Sequence, residues 1–216
     1  VSYSMTANLK KMIQATEELK HNYGQTNILI DTQRFTPVPF DLFEDEQTEQ
    51  LFYQNFQRTD NETVLCNILG KSNIALIFGM DKHTHQLINE SFPHARIFAC
   101  TSPLIEYFTC QSREANNRRL YVLFHPNRME VFALDKGKLL LINSFNSKHT
   151  SDHIYYLLYV WQQLGYSQEK DQLFLTGEVE SKDALLAELK RFLRQVEFLP
   201  TQSSLPFDIQ SLMICE

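Results

Sequence analysis

The run Leu120-Tyr-Val-Leu-Phe124 decides the fold, because a continuous apolar stretch bounded by turn residues is typical of a β-strand. His125-Pro-Asn-Arg128 supplies the turn, and the apolar residues of Met129 to Leu134 predict a second strand. Asp135-Lys-Gly-Lys138 is another turn, which leads into a third strand from Leu139 to about Phe145. The sequence therefore predicts three consecutive antiparallel strands.

Two helices and two short strands complete the second half of the chain. Apolar residues recur at i, i+3, i+4, i+7 and i+10 from Ile154 to Leu164, which predicts a helix that ends at Gly165. Ser151 or Asp152 can cap its start. A strand, a helix and a last strand are predicted at 173–175, 182–194 and 196–199, so that the order is βββαβαβ.

The first half contains part of the same order. We expect a strand end, a helix, a strand, a second helix and a strand at residues 1–3, 9–19, 27–30, 83–92 and 96–100. An insertion at about 36–80 holds a helix with an acidic start and a β-hairpin around Gly70-Lys-Ser72. Those three residues are similar to part of a P-loop, but the first glycine is missing and no helix follows.

This partial repeat predicts a two-lobed α/β protein. The expected lobes are 1–112, including the insertion, and 113–216, including a tail from Gln202 to Glu216 that either packs back on a lobe or docks on another subunit. The first copy lacks its opening hairpin. Because the chain begins with Val in the middle of a predicted strand, we expect a preceding segment to supply the missing strands.

Composition narrows the classes of function. Of 216 residues, 43% are hydrophobic, and 20 basic against 26 acidic side chains give a net charge of −6, which disfavours nucleic-acid partners. The longest apolar stretch, Ile154 to Trp161, is too short to span a membrane.

Four cysteines at irregular spacings predict neither a disulfide framework nor a zinc site. Without a recognisable signal peptide, we expect a cytoplasmic protein.

The βββαβαβ order resembles the ribonuclease-H-like half of the actin-like ATPase superfamily. Within it, the chain is similar to an uncharacterised Bacteroidetes family, a domain of unknown function related to the pilus-assembly and secretion proteins PilM and GspL. The stretches that carry this resemblance are Pro37-Val-Pro-Phe-Asp-Leu-Phe43, the hairpin through Gly70, Phe92-Pro-His-Ala-Arg96 and Leu120-Tyr-Val-Leu-Phe-His-Pro126. The resemblance implies a duplicated, two-lobed actin-like ATPase fold.

The resemblance also implies where ATP and Mg²⁺ would bind. Actin-like ATPases use a β-hairpin in each lobe, whose glycine N–H groups approach phosphate and whose carboxylate handles Mg²⁺ or water. The second-lobe hairpin, His125-Pro-Asn-Arg128, has neither Gly nor Asp, and Pro126 has no N–H. The adenosine turn corresponds to Thr176-Gly177, a degenerate match because Glu178 replaces the second glycine.

No catalytic residue and no metal site are predicted. His149 and His153 lie four residues apart beside Asp152, which is a possible ligand spacing, but helix capping explains the cluster better. Leu120 to Phe124 carries no carboxylate for ribonuclease-H-like metal chemistry.

These observations favour a cytoplasmic protein-interaction module whose nucleotide site is incompetent. The alternative is an ATP-binding ATPase or phosphotransferase whose carboxylate lies in the missing N-terminal segment. A third possibility, a nucleic-acid-binding ribonuclease-H-like protein, is disfavoured by the net charge.

Overall fold

A computed structural model describes residues 5–200 and 205–215, in which ten strands and seven α-helices form. The strand expected at residues 1–3 lies outside the described residues. The strands are β1 Asn27–Ile30, β2 Phe35–Pro39, β3 Glu62–Leu69, β4 Ile74–Asp81, β5 Arg96–Ala99, β6 Arg119–His125, β7 Arg128–Asp135, β8 Lys138–Asn146, β9 Gln172–Gly177 and β10 Gln195–Phe198. The helices are α1 Met5–Ala15, α2 Thr48–Asn55, α3 Lys82–Ser91, α4 Thr101–Ser112, α5 Thr150–Gln163, α6 Lys182–Leu189 and α7 Phe207–Cys215.

The chain divides into two compact units. The first unit comprises residues 5–69 and 73–102, and the second comprises residues 70–72 and the described residues from 103 onward. Helix α4, at the end of the first half of the sequence, lies in the second unit from Pro103 onward.

The second unit is built on a five-stranded sheet in the order β10-β9-β6-β7-β8. Strands β6 and β9 are parallel, as are β9 and β10, whereas β7 is antiparallel to both β6 and β8. The predicted order βββαβαβ is confirmed. Helix α6 ends at Leu189 instead of Arg194, because the chain tightens into turns there and the N–H groups of Phe192 and Leu193 both donate to the Leu189 carbonyl.

Strand β6 is buried on both faces of this sheet. On one face, Leu120, Val122 and Phe124 pack in the core formed with helices α5 and α6. That core includes Trp161, whose ring centroid lies 5.2 Å from that of Tyr166. Because side chains alternate along a strand, Tyr121 points to the other face.

Stacked aromatic rings run through that other face. The rings of Phe207, Phe108, Tyr121 and Phe174 are stacked in succession, with centroid distances of 5.9, 4.3 and 5.0 Å. Phe207 is the first residue of α7, so this helix packs back on the second unit.

The first unit contains two small sheets. Strands β1 and β5 pair in parallel, and β2-β4-β3 form an antiparallel sheet covered by α2, whose Phe52 is fully buried. The inserted hairpin is confirmed as β3 and β4. Strand β2 was not predicted; it contains Pro37 and Pro39, which are tolerated because β2 is an edge strand.

The first helix is shorter than its apolar pattern predicts. It ends at Ala15, and a 3₁₀ turn follows at Glu17–Lys20. Thr16 between them is extended, with φ −101° and ψ 110°, so that the helical path is broken before Leu19.

Arg34, which immediately precedes β2, pairs with Glu62 on β3. Arg34 Nε and Nη2 donate to the two carboxylate oxygens of Glu62 at 2.7 and 2.8 Å, and the Glu62 side chain is only 7% exposed. The guanidinium also lies over the rings of Phe52 and Phe56, 5.5 and 4.9 Å from their centroids. The hydrogen bonds with Glu62 raise the pKa of Arg34.

Replacing Arg34 tests this pair. We expect Arg34→Met to lower the free energy of unfolding by about 2 kcal/mol, because it leaves the Glu62 carboxylate buried without its cation. Arg58→Met is the matched control, since Arg58 and Glu49 pair at 3.5 Å on the surface and such pairs contribute less than about 1 kcal/mol. Urea denaturation followed by circular dichroism measures both; equal losses would contradict the expectation.

Candidate functional site

The predicted hairpin and the predicted adenosine turn lie side by side in the second unit. Phe124 at the end of β6 is in parallel register with Gly177 at the end of β9. A cavity of about 490 Å³ opens at this edge of the sheet. Its walls are formed by the ends of the two strands, by Lys182 and by the residues at the start of α7: Leu123, Phe124, His125, Pro126, Thr176, Gly177, Glu178, Leu205, Pro206, Phe207, Asp208 and Gln210.

Gly177 is required by the backbone at this turn. Its φ is +93°, and a Cβ at this position would lie 2.8 Å from the Phe124 N atom and closer still to the Phe124 carbonyl oxygen. The strand therefore needs a glycine here whether or not a ligand binds. Thr176 is buried and Glu178 is exposed, so the second glycine position carries a carboxylate at the cavity rim.

Behind the hairpin turn lies a buried charged cluster. Glu130 on β7 is 1% exposed, and its Oε1 atom lies 3.4 Å from Arg128 Nη2 and 3.6 Å from His125 Nε2. Neither Glu130 Oε2 nor His125 Nε2 has a hydrogen-bond partner in the described residues. Because residues directly opposite each other in antiparallel strands point to the same face, all three side chains lie on the face that carries Tyr121.

Sequence reasoning missed Glu130. The only signal was that Glu130 interrupts the apolar run Met129 to Leu134, because a lone charge in such a run either faces solvent or is buried with a partner. The hairpin that lacks a carboxylate in its turn thus has one on the following strand. The guanidinium of Arg128, the cation of this turn, is thus paired with a buried carboxylate of the protein itself.

The P-loop-like residues Gly70-Lys71-Ser72 already hold an anionic group of the protein itself. Glu106 on α4 accepts hydrogen bonds from the backbone N–H groups of Lys71 and Ser72 at 3.0 and 2.9 Å, and from the Ser72 hydroxyl at 2.9 Å. These donors therefore stabilise the contact between this turn and α4.

The two histidines considered as metal ligands have different surroundings. His153 is buried with its ring 4.8 Å from that of Phe124, whereas His149 is exposed. Asp152 accepts hydrogen bonds from the N–H groups of His149 and Lys148, which caps α5 and lowers the pKa of the carboxyl. Within residues 5–200 and 205–215, no three His, Cys, Asp or Glu side chains are grouped to hold a metal ion.

Sequence comparison places the chain in a family. The family described as "Protein of unknown function (DUF3822)" matches residues 1–196. The chain belongs to this family. None of the curated proteins matches the chain.

Solved structures give the fold of the family. A protein from Bacteroides thetaiotaomicron VPI-5482, described as having an actin-like ATPase fold and unknown function, is 44% identical, with a TM-score of 0.92 over 100% of this chain and 83% of its own. The expected fold and family are thereby confirmed. Membership of DUF3822 leaves the activity open.

Two distant structures are also similar. The PilM–PilN type IV pilus biogenesis complex matches 90% of this chain and 74% of its own at 10% identity, with a TM-score of 0.51, a likeness of fold alone. The cytoplasmic domain of EpsL, an inner membrane component of the type II secretion system of Vibrio cholerae, is 10% identical over 97% of this chain and 80% of its own; its TM-score is 0.43. Among the described helices of the DUF3822 chain, none is long and apolar enough to cross a membrane.

Replacing Gly177 tests the structural role of the adenosine-like turn. We expect Gly177→Ala to lower the free energy of unfolding by about 3 kcal/mol, because the positive φ and the contact with Phe124 both penalise a side chain. Gly165→Ala is the control: Gly165 has φ +62° but open space around it, which predicts a loss of about 1 kcal/mol. Urea denaturation of both variants measures the difference, and equal losses would rule out a steric role of Phe124.

The burial of His153 predicts a dependence of stability on pH. Burial lowers the pKa of its imidazole, although Asp152 and Glu180 act in the opposite direction. The unfolded state therefore takes up a proton more readily, and the contribution of His153 to stability is lost as pH falls below the ordinary pKa of 6.5. We expect wild type to lose more stability than His153→Gln between pH 7 and 5, measured by thermal unfolding.

The lowered pKa of Asp152 affects stability in a different pH range from that of His153. Its stabilising effect is lost only below its ordinary pKa of 3.8, so it does not contribute to the expected difference. Parallel pH profiles for wild type and His153→Gln would show that the buried imidazole is not the cause.

Proposed function

We propose that the chain is a protein-interaction module whose actin-like nucleotide site has lost its phosphate-binding chemistry. The observation that supports this most directly is the buried Glu130 carboxylate behind a hairpin turn that lacks glycine. Phosphate binding in such turns depends on several backbone N–H groups that converge on the anion. Pro126 lacks an N–H, and Arg128 of the same turn is paired with the buried Glu130 carboxylate.

The rest of the cavity is also poorly suited to ATP. Glu178 and Asp208 add carboxylates to its walls, against one lysine, Lys182. The Lys182 ammonium lies 5.1 Å from the centroid of the Phe198 ring. A triphosphate would therefore meet more negative than positive charge.

Exposed apolar groups on two helices favour contact with another protein. Tyr155 and Tyr159 on α5 are 64% and 50% exposed, and their rings are stacked at 6.3 Å. Three apolar side chains of the second unit's C-terminal segment, one just before α7 and two on it, are exposed as well: Leu205, Ile209 and Met213. Aromatic residues and Met are enriched in protein–protein interfaces. PilM, which shares the fold, is seen in complex with PilN.

Mg-ATP titration tests the nucleotide half of this proposal. We expect isothermal titration calorimetry to detect no saturable binding up to millimolar Mg-ATP, because the hairpin turn has no glycine, Pro126 has no N–H and Arg128 is paired with Glu130. Saturable micromolar binding that Lys182→Ala weakens would contradict the proposal and favour the alternative, an ATP-binding ATPase or phosphotransferase. Lys182 is exposed at the cavity rim, so this variant is expected to fold normally.

The cytoplasmic location and the absence of a nucleic-acid partner stay predictions from composition. Binding of the chain to duplex DNA with a steep salt dependence would contradict the second.

A further inference from the structure

The five-stranded sheet of the second unit has two unlike edges. Strand β10 forms one edge; it has four residues, and the charged Glu197 is one of them. Strand β8 forms the other edge; it has nine residues, and no charged side chain lies between Lys138 at its start and Lys148 just beyond its end. Natural sheets protect their edges with short strands or with charges. The β10 edge is protected in this way, and the middle of the β8 edge is not.

We propose that the outer edge of β8 is a docking site for an extended segment of a partner protein, which adds to the sheet as a further strand. The segment carries apolar side chains at alternate positions in its middle and acidic side chains at its ends. The proposal rests on the proposed function, and it names the kind of partner and the surface that binds it.

The backbone of β8 offers hydrogen-bonding groups along this edge. The register of β7 and β8 continues to Asn127 and Ser147, and the Ser147 N–H donates to the Asn127 carbonyl at 3.1 Å. Because hydrogen-bonded pairs alternate in an antiparallel ladder, the N–H and C=O groups of Ile142 and Ser144 point away from β7. The Ser144 N–H donates to the side-chain oxygen of its own neighbour Asn143, at 2.8 Å. Among the described residues, no strand pairs with β8 on that side.

A β-bulge limits the length of the edge that can pair. The register shifts between Ala133 and Leu134, so that Leu140 of β8 is opposite no residue of β7. A bulge bends and twists the strand that contains it, which disfavours pairing at that point. The regular part of β8 therefore runs from Leu141 to Asn146, which is long enough for a partner strand of about five to six residues.

The core between the sheet and α5 is partly open along this edge. Leu141 and Phe145 of β8 and Tyr156 of α5 pack against the buried core but are themselves only half-buried. The rings of Phe145 and Tyr156 are stacked at 4.8 Å. Since successive side chains of a strand point to opposite faces, a strand added to β8 would turn every second side chain toward these three groups. Apolar side chains at those positions would remove the remaining apolar surface from water.

Charge identifies the kind of partner. Lys136, Lys138 and Lys148 are exposed, and the sequence from Lys136 to Ser151 contains no acidic residue. Asp152, the next acidic residue, accepts hydrogen bonds that cap α5. In a chain with a net charge of −6, this edge is therefore flanked by positive charge at both ends. Acidic side chains at the ends of the incoming segment would complement these lysines and set its position along β8.

A second copy of the chain fits this edge less well. A two-fold dimer would pair two β8 edges antiparallel, because its interface uses the same surface of both copies. Pairing through Ile142 or Ser144 would bring Lys148 of one copy close to Lys136 and Lys138 of the other. Like charges that face each other across neighbouring strands are destabilising. A segment with acidic ends replaces this repulsion by attraction.

A synthetic strand tests the edge in the full chain. The probe is a fluorescein-labelled peptide of alternating valine and threonine with two aspartates at each end, and fluorescence anisotropy follows its binding. We expect saturable binding to wild type that is at least tenfold tighter than the binding of the same peptide with lysines in place of the aspartates. Equal affinity of the two peptides, or no binding of the aspartate peptide to the folded chain, would overturn the proposal.

Two substitutions at one position test the backbone contact. Ser144→Pro removes the outward N–H, which takes no part in the ladder with β7, and proline is tolerated at such edge positions. Ser144→Ala is the matched control, since it removes the same hydroxyl group and keeps the N–H. We expect the aspartate peptide to bind Ser144→Pro at least tenfold more weakly than Ser144→Ala, with circular dichroism as the check on folding. Equal affinity for two folded variants would show that no strand is added at this edge.

Charge reversal tests the same edge without a change of backbone. The double variant Lys138→Glu, Lys148→Glu alters only exposed side chains. We expect its preference to be inverted, so that the lysine peptide binds more tightly than the aspartate peptide. An unchanged preference would contradict the placement of the acidic ends beside these lysines.

Analytical ultracentrifugation tests the second copy as the occupant. We expect wild type to sediment as a monomer, and a dimer that Ser144→Pro converts into monomers would overturn the proposal in favour of self-association. The Mg-ATP titration concerns the hairpin and the cavity at the ends of β6 and β9, and not the edge of β8. Failure of the docking site and failure of the proposed function can therefore be told apart.

Discussion

The structure of the second unit depends on the burial of β6 on both faces. A strand with apolar side chains at every position from Leu120 to Phe124 needs cover above and below the sheet. Helices α5 and α6 cover one face, and the rings of α4 and α7 cover the other. The ends of β6 and β9 then fall at one edge of the sheet, where neither cover closes completely and the cavity remains.

Three carboxylates of the second unit make their contacts within the protein itself. Glu130 is buried beside Arg128. Glu106 accepts hydrogen bonds from the backbone N–H groups of Lys71 and Ser72. Asp171 accepts hydrogen bonds from the backbone N–H groups of Ser167 and Arg118. These backbone N–H groups are therefore engaged with the protein's own carboxylates.

Most of the fold could be predicted from the sequence because its elements follow clear periods. The strands β6, β7 and β9 and the helix α5 have continuous or helical apolar patterns, and local sequence determines them. Strand β2 escaped prediction because Pro37 and Pro39 are strong breakers everywhere except at a sheet edge, and edge position is a tertiary property. The predicted end of α6 was also wrong, by five residues. Leu193 is buried and continues the apolar spacing of the helix, although the chain has already left the helix for a turn.

The candidate site was less predictable than the fold. Thr176 and Gly177 could be identified from their place after a strand, but the closeness of Gly177 to Phe124 depends on the parallel pairing of strands far apart in sequence. Glu130 was overlooked because alternation along a strand allows a lone charge to face solvent. Only the neighbouring strands and α4 show that this face is covered.

The position of the one tryptophan has an experimental consequence. Trp161 is 3% exposed in the core of the second unit, next to Tyr166, and the sequence contains no other tryptophan. Its intrinsic fluorescence therefore reports on the environment of the second unit, whereas a signal from the peptide backbone reports on both. Transitions that coincide for the two probes would mean that the units unfold as one cooperative body, and transitions that separate would give each unit its own stability without cutting the chain.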